Sequence, residues 1–304
     1  MADGTGLALC VPNFSEGRHQ EVVKAVVEAF ASEDSVRILD YKPDSSHNRT
    51  VLTMVGPLQG LIAAALAGTE KAVETIDMRS HQGGHPRLGA MDVIPFIPLV
   101  GVSLEECVEA SRQLAEKLAG RLDLPVHLYE ESARSARRRN LAYVRRGEWE
   151  GLEQSLKKPG REPDYGPDEP HPTAGAVVVG ARKHLIAYNV NLATDDLDLA
   201  QRIARAVRAR NGGYAHVKGM GLRTEDGKGV QVSMNLTDFN QTPIHRVVET
   251  IRSEAARHGV AIYESEIVGM VPAQALIEAA CHYLQLNRFD ESQVLEYRLI
   301  EEVF

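Results

Sequence analysis

Strand-length and helix-length apolar patterns alternate along this chain in one order, and that order occurs twice. Leu7 to Pro12 reads as a short strand, and Glu16 to Ala31 sets Val22, Val23, Val26, Val27 and Phe30 on one helical face. Val36 to Tyr41 and Arg49 to Val55 read as strands, Leu58 to Thr75 as an alanine-rich helix, and Asp92 to Val100 as a strand. A helix over Leu104 to Ala119 follows, opened by Ser103 and Glu106 at capping-box spacing, then a short strand over Val126 to Tyr129. After a stretch holding Pro159, Pro163, Pro167, Pro170 and Pro172, an extra strand is expected over Ala176 to Val179. Strand Leu185 to Asn191, helix Asp195 to Arg208, and strands Tyr214 to Leu222 and Val230 to Asn235 come next. Thr242-Pro243 reads as N-cap and first residue of a helix that stops at Gly259, with strand Ala261 to Ile267 and a last helix opened by Pro272.

Each half is therefore βαββαβ. The expected architecture is α+β: two ferredoxin-like subdomains over residues 1–175 and 176–304, each a sheet with helices packed on one face. A groove between the halves is the natural place for a ligand. A length of 304 residues also suits two domains. The net charge of −8 argues against non-specific nucleic-acid binding. Cys10, Cys107 and Cys281 are odd in number and far apart, which points to a reducing, cytoplasmic setting. Met1 to Gly6 lacks the pattern of a signal peptide, and no apolar run is long enough for a membrane span.

Chemistry-bearing residues concentrate in Ser80-His81-Gln82-Gly83-Gly84-His85-Pro86-Arg87-Leu88-Gly89-Ala90-Met91-Asp92. Its glycines and proline oppose a regular helix, so the polar groups sit on a loop. A loop imidazole can move protons near pH 7, and His85 is the candidate, set against an ordinary turn histidine. His81 and His85 have the spacing of a zinc-binding helix, but the helix that spacing requires is disfavoured, so no metal is expected. Arg87 can pair with a carboxylate. Asp40 ends a strand and stands open as a partner for a histidine, whereas Asp44 reads as a turn residue. Tyr165, Gly166 and Gly175 could line a flat ligand or belong to a plain linker. Gly219-Met220-Gly221 follows His216 and Lys218 on a strand and reads as structural. The six arginines from Arg134 to Arg146 read as a solvated face or a subunit contact.

In combination these residues resemble the glutamate formimidoyltransferases. The matching runs are Cys10 to Gly17, Asn48-Arg49-Thr50, Gly84 to Val93 with Pro95 to Pro98, Arg146-Gly147-Glu148, Pro163 to Pro167, Gly180 to Lys183 and Asn189 to Leu192. They cover nearly the whole chain. The resemblance implies transfer of a formimidoyl group between N-formimidoyl-L-glutamate and tetrahydrofolate, a co-substrate, in histidine breakdown. It implies a homodimer with two α/β subdomains. It makes His85 the catalytic residue and puts folate contacts on Gly166 to Gly175, with Gly166, Pro167, His171, Thr173 and Gly175. A second folate stretch is Gly212 to Gly221, with Gly212, His216, Lys218 and Gly221. The chain departs from the family at Gly213, Tyr214 and Ala215, and His47 stands where a small polar residue is usual. Asp40 as orienter of His85, and Arg49 or Arg87 as clamp for a glutamate carboxylate, follow from charge and position. Two alternatives stay open: a formyl transfer from 5-formyltetrahydrofolate to glutamate, and a non-catalytic folate-binding protein.

Overall fold

The computed structural model describes residues 6–224, 227 and 229–303. Met1 to Thr5, most of the polar segment read above for targeting, lie outside the described residues. The chain divides between Arg182 and Lys183.

The first unit opens with β1 (Leu7–Cys10) and β2 (Asn13–Phe14), two pieces of one strand interrupted at Val11 and Pro12. Next come α1 (Gln20–Phe30), β3 (Arg37–Asp44), β4 (Arg49–Gly56), α2 (Leu58–Thr75), β5 (Met91–Val100), α3 (Leu104–Leu122) and β6 (Val126–Glu130). The short helices α4 (Leu141–Val144) and α5 (Leu152–Leu156) and then β7 (Val177–Ala181) complete it. β1 and β2 both pair antiparallel with β4 and β5, and β3 pairs with β4 at the edge. The order β5, β1/β2, β4, β3 is that of a split βαβ sheet. α1, α2 and α3 bury Phe30, Leu61, Ile62 and Leu114 against one face, where Phe14, Met54 and Phe96 meet them. The capping box at the start of α3 is present in full.

The expected boundary after Gly175 is corrected by the sheet. β7 pairs in parallel with β5 and with β6, so it extends the first sheet to seven strands. It is buried throughout because both its faces are covered. Val177 and Val179 join the main core, while Val178 joins Leu88, Val93, Val144, Leu152 and Leu156 on the opposite face. The short helices after β6 thus form a second, smaller layer.

The second unit holds β8 (Ile186–Leu192), α6 (Leu197–Val207), β9 (Val217–Arg223), β10 (Val230–Leu236), α7 (Ile244–Ala256) and β11 (Ile262–Val268). Two further helices, α8 (Ala273–Leu284) and α9 (Leu295–Val303), follow. The sheet is antiparallel with order β11-β8-β10-β9, the ferredoxin-like arrangement expected. β8 and β10 alternate buried and half-buried residues, so α6 and α7 cover one face only. Pro243, not Thr242, occupies the N-cap of α7, because the Thr242 hydroxyl bonds the Ala215 carbonyl instead. Among the described residues no helix is long and apolar enough to cross a membrane.

Candidate active site

The segment from Arg79 to Ala90 forms no helix, as its glycines and Pro86 require. Its course is fixed at both ends. Met78 N–H donates to the Thr173 carbonyl at 2.8 Å, and Ala90 N–H to the Ala174 carbonyl at 2.9 Å. A Cβ on Gly89 would stand 2.3 Å from the carbonyl oxygens of Ala174 and Ala176, so only glycine fits between the loop and the turn at His171 to Gly175. Gly83 is similarly constrained: a Cβ there would lie 2.2 Å from the His47 carbonyl oxygen. The loop therefore lies against the β3–β4 turn.

Asn48 fastens these pieces together. It is buried, with a left-handed φ of 48°. Its Oδ1 accepts from Gly17 N–H at 3.0 Å, its Nδ2 donates to the Gln82 carbonyl at 3.0 Å, and its own carbonyl lies 2.9 Å from His81 Nε2. His81 Nδ1 in turn accepts from Arg87 Nε at 3.3 Å. Both nitrogens of His81 are thus spoken for, with the proton on Nε2. Its pKa is lowered, first by burial. His81 holds the loop.

Arg87 is buried and fully engaged. Nη1 donates to Glu148 and Glu150 at 3.1 Å, and Nη2 to Glu150 Oε1 at 2.7 Å. The expectation that Arg87 clamps a substrate carboxylate is therefore corrected: two protein carboxylates already occupy its fork. A hollow of about 450 Å³ lies against this network, lined by His81, Gln82, Gly83, Arg87, Gly147, Glu148 and Glu150.

A narrower cleft shares His81 and Arg87 with it and adds Ser15, His47, Asn48, Arg49, His85 and Asp92. His85 is half-buried. Burial, together with the Arg49 and Arg145 guanidiniums and His47, pushes its pKa down to about 3. The ring is neutral at pH 7, and a neutral imidazole keeps one of its nitrogens as an acceptor. The Arg49 side chain makes no hydrogen bond or ion pair among the described residues, and its Nε is buried without a partner. Arg145 gives Nη2 to buried Asp92, and its Nε is also buried and unpartnered. Asp92 spends its other oxygen on Leu88 N–H at 2.9 Å. An unpaired buried guanidinium N–H costs free energy unless a ligand completes it. Two of them beside a neutral imidazole make a cleft suited to an anion next to a proton acceptor.

Asp40 is not part of this cleft. It sits on edge strand β3 opposite Thr53, and its carboxylate joins no hydrogen bond or ion pair among the described residues. The carboxylate that meets a site histidine is Asp44, whose Oδ2 lies 2.6 Å from His47 Nδ1. The two residues bracket the turn that Asp44 was expected merely to form. The arginine run is also divided in its roles. Arg138 is buried against Asp164 at 2.7 Å, Arg145 pairs with Asp92 of the cleft, and Arg137 and Arg139 are exposed. Asp164 further accepts from Leu128 N–H at 2.7 Å, so the proline-rich stretch is anchored to β6.

Two comparisons decide the family. The formiminotransferase domain, N-terminal subdomain, matches residues 7–182, and the formiminotransferase domain matches residues 187–303. The chain belongs to the formiminotransferase family. It is 46% identical over 292 residues to the glutamate formimidoyltransferase of Streptococcus pyogenes serotype M1, covering 96% of this chain and 98% of that one. It is 47% identical to the glutamate formimidoyltransferase of Thermoplasma acidophilum, over 96% of this chain and 97% of the relative. The formimidoyltransferase-cyclodeaminase of Rattus norvegicus is 42% identical over 91% of this chain, which spans 52% of that longer protein.

Within the formiminotransferase N-terminal subdomain, the turn His171 to Gly175 packs against both ends of the His85 loop. His171 Nδ1 accepts from Ala174 N–H at 3.0 Å, and Gly175 takes a left-handed φ of 74°. Thr173 is half-buried there. Gly166, with φ of 86°, lies against the Leu124 carbonyl, beside exposed Pro167 and away from the loop. Gly212, His216, Lys218 and Gly221 belong to the second subdomain. Gly212 closes a short turn with φ of 87°, and His216 has φ of 61° before β9. Lys218 is exposed on β9, and a Cβ on Gly221 would stand 2.3 Å from Gln201 N, so that glycine serves the packing of β9 on α6. Arg145, Asp92 and Asn48 carry no individual site role in the sequence pattern, and Asp44 carries only that of a turn residue.

Proposed function

We propose that the protein is a glutamate formimidoyltransferase that moves the formimidoyl group between N-formimidoyl-L-glutamate and tetrahydrofolate. The observation that carries this reading is the partnerless Arg49 guanidinium beside neutral His85, in a chain 46% and 47% identical to two relatives bearing that name. Arg49 and Arg145 take a carboxylate of the glutamate moiety, since a charge-assisted pair orients as well as binds. A carboxylate there offsets the repulsion that depresses His85, so the base strengthens when substrate arrives. The folate amine attacks the formimidoyl carbon and forms a C–N bond while His85 takes the amine's proton. The tetrahedral intermediate then breaks its bond to the glutamate nitrogen, which is protonated as it leaves. Tetrahydrofolate is a co-substrate, and its contacts are assigned to Gly166 to Gly175 and Gly212 to Gly221. The same reading makes the protein a cytoplasmic homodimer, divided functionally as it is in the fold.

The test is product formation with tetrahydrofolate and either N-formimidoyl- or N-formyl-glutamate. Release of glutamate from the formimidoyl donor at a kcat/KM well above that of the formyl donor is expected. Preference for the formyl donor, or tight folate binding with no turnover of either, would overturn it.

A further inference from the structure

The cleft contains a second histidine held by a carboxylate. Asp44 and His47 face each other across the β3–β4 turn. Asp44 Oδ1 accepts His47 N–H at 2.9 Å, and Asp44 Oδ2 lies 2.6 Å from His47 Nδ1. The pairing fixes the ring and leaves Nε2 as its unfastened nitrogen. The His47 side chain is 41% exposed and lines the same cleft as His85. The two rings meet edge to face, with centroids 6.3 Å apart and planes at 78°. Both imidazoles therefore front the same cleft.

The reaction proposed above needs two proton transfers at two different nitrogens. One proton leaves the attacking amine, and one must reach the departing glutamate nitrogen. We propose that His47, oriented by Asp44, is the second acid/base group of this site and delivers the proton to the leaving nitrogen while His85 removes one from the nucleophile. The inference rests on the transferase reading. A proton passes from the amine to the free nitrogen of His85, the new C–N bond forms, and the old C–N bond breaks as His47 Nε2 gives up its proton. His85 ends protonated and His47 neutral, and the count is restored when solvent returns the proton from one ring to the other. The Asp44 carboxylate orients the ring through Nδ1, as a carboxylate holds the histidine of a catalytic triad. Asp44 stays ionised there: burial works against it, but the His47 N–H groups hold its pKa low. Two further charged groups stand at the pair: Arg18, whose Nε donates to the Ser45 carbonyl of the same turn at 2.9 Å, and Arg49 on β4, which in turn neighbours Arg145 after α4 and Asp92 on β5.

The test uses the full chain, comparing wild type, His47→Gln and Asp44→Asn in transfer assays from pH 5 to 10. With wild type active, His47→Gln is expected to lower kcat about ten- to a hundredfold, within the usual range for one acid/base group or just below it. KM for both substrates should stay within about twofold, a split that simple disruption of the cleft would not give. The basic limb of the kcat profile, where the acid loses its proton, should flatten in His47→Gln. Asp44→Asn should fall in kcat with its basic limb displaced. Should His47→Gln fail to fold, displacement of that limb in Asp44→Asn decides the matter, and an unmoved limb overturns the proposal. Wild-type kcat and profile in His47→Gln would overturn it while leaving the transferase reading intact. Absence of transfer in wild type would sink both.

Discussion

His85 combines two properties that usually conflict in a base: it is neutral, yet its neighbours oppose the proton it must take. Burial and two guanidiniums depress it to about 3. On the proposed reading the substrate carboxylate relieves part of that opposition. Arg49→Gln should therefore raise the His85 pKa toward its ordinary 6.5 in the free protein, read by NMR titration of the ring. The same change should raise KM for the glutamate substrate roughly ten- to a hundredfold, matching the ~1.5–3 kcal/mol of a charge-assisted hydrogen bond. An unmoved His85 titration would show that Arg49 does not act on the base. At this scale the sequence was partly legible. Gly83, Gly84 and Pro86 force His85 onto a loop, and that is a local signal. Arg145 was not legible, because its partner Asp92 is 53 residues away and its neighbours in sequence are other arginines. Arg87 misled for the same reason: its glutamates, Glu148 and Glu150, lie more than 60 positions on.

Among the elements, the catalytic loop owes its shape to the strand β7 and the turn before it. Gly89 passes between the carbonyls of Ala174 and Ala176 with no room for a Cβ. Gly89→Ala is expected to cost about 1–3 kcal/mol, as overpacking against backbone does, and to reduce transfer by shifting the loop. A denaturant midpoint equal to wild type would contradict that. The strands and helices of both βαββαβ halves were readable from period alone. The place of β7 was not. Its apolar run follows the proline-rich stretch and looks like the opening of the next unit. Parallel pairing with β5 and β6 involves residues more than 80 and 50 positions away, which no local pattern reports.

Across the whole molecule, neutral histidines set an acid limit. His85 and His127 are both lowered to about 3, chiefly by burial, whereas an unfolded chain protonates histidine near 6.5. Between those values the unfolded state binds more protons, so stability is full above about pH 6.5 and falls as pH drops toward 3. Paired carboxylates such as Glu16 and Asp44, whose own pKa values are lowered, add to the loss only below their unfolded values. Thermal midpoints should therefore begin to decline near pH 6.5 rather than near 4.5, and His127→Phe should weaken the early part of that decline. A flat midpoint between pH 7 and 5 would contradict the protonation states assigned here. Function at this scale depends on the cleft performing group transfer. The most direct measurement is steady-state transfer from N-formimidoyl-L-glutamate to tetrahydrofolate by wild type and by His85→Gln. Wild type is expected to turn over and the variant to lose about 10²–10⁴ in kcat, the span of one acid/base group, with KM changed only a few-fold. Equal rates in the two proteins, or no product from wild type, would contradict it.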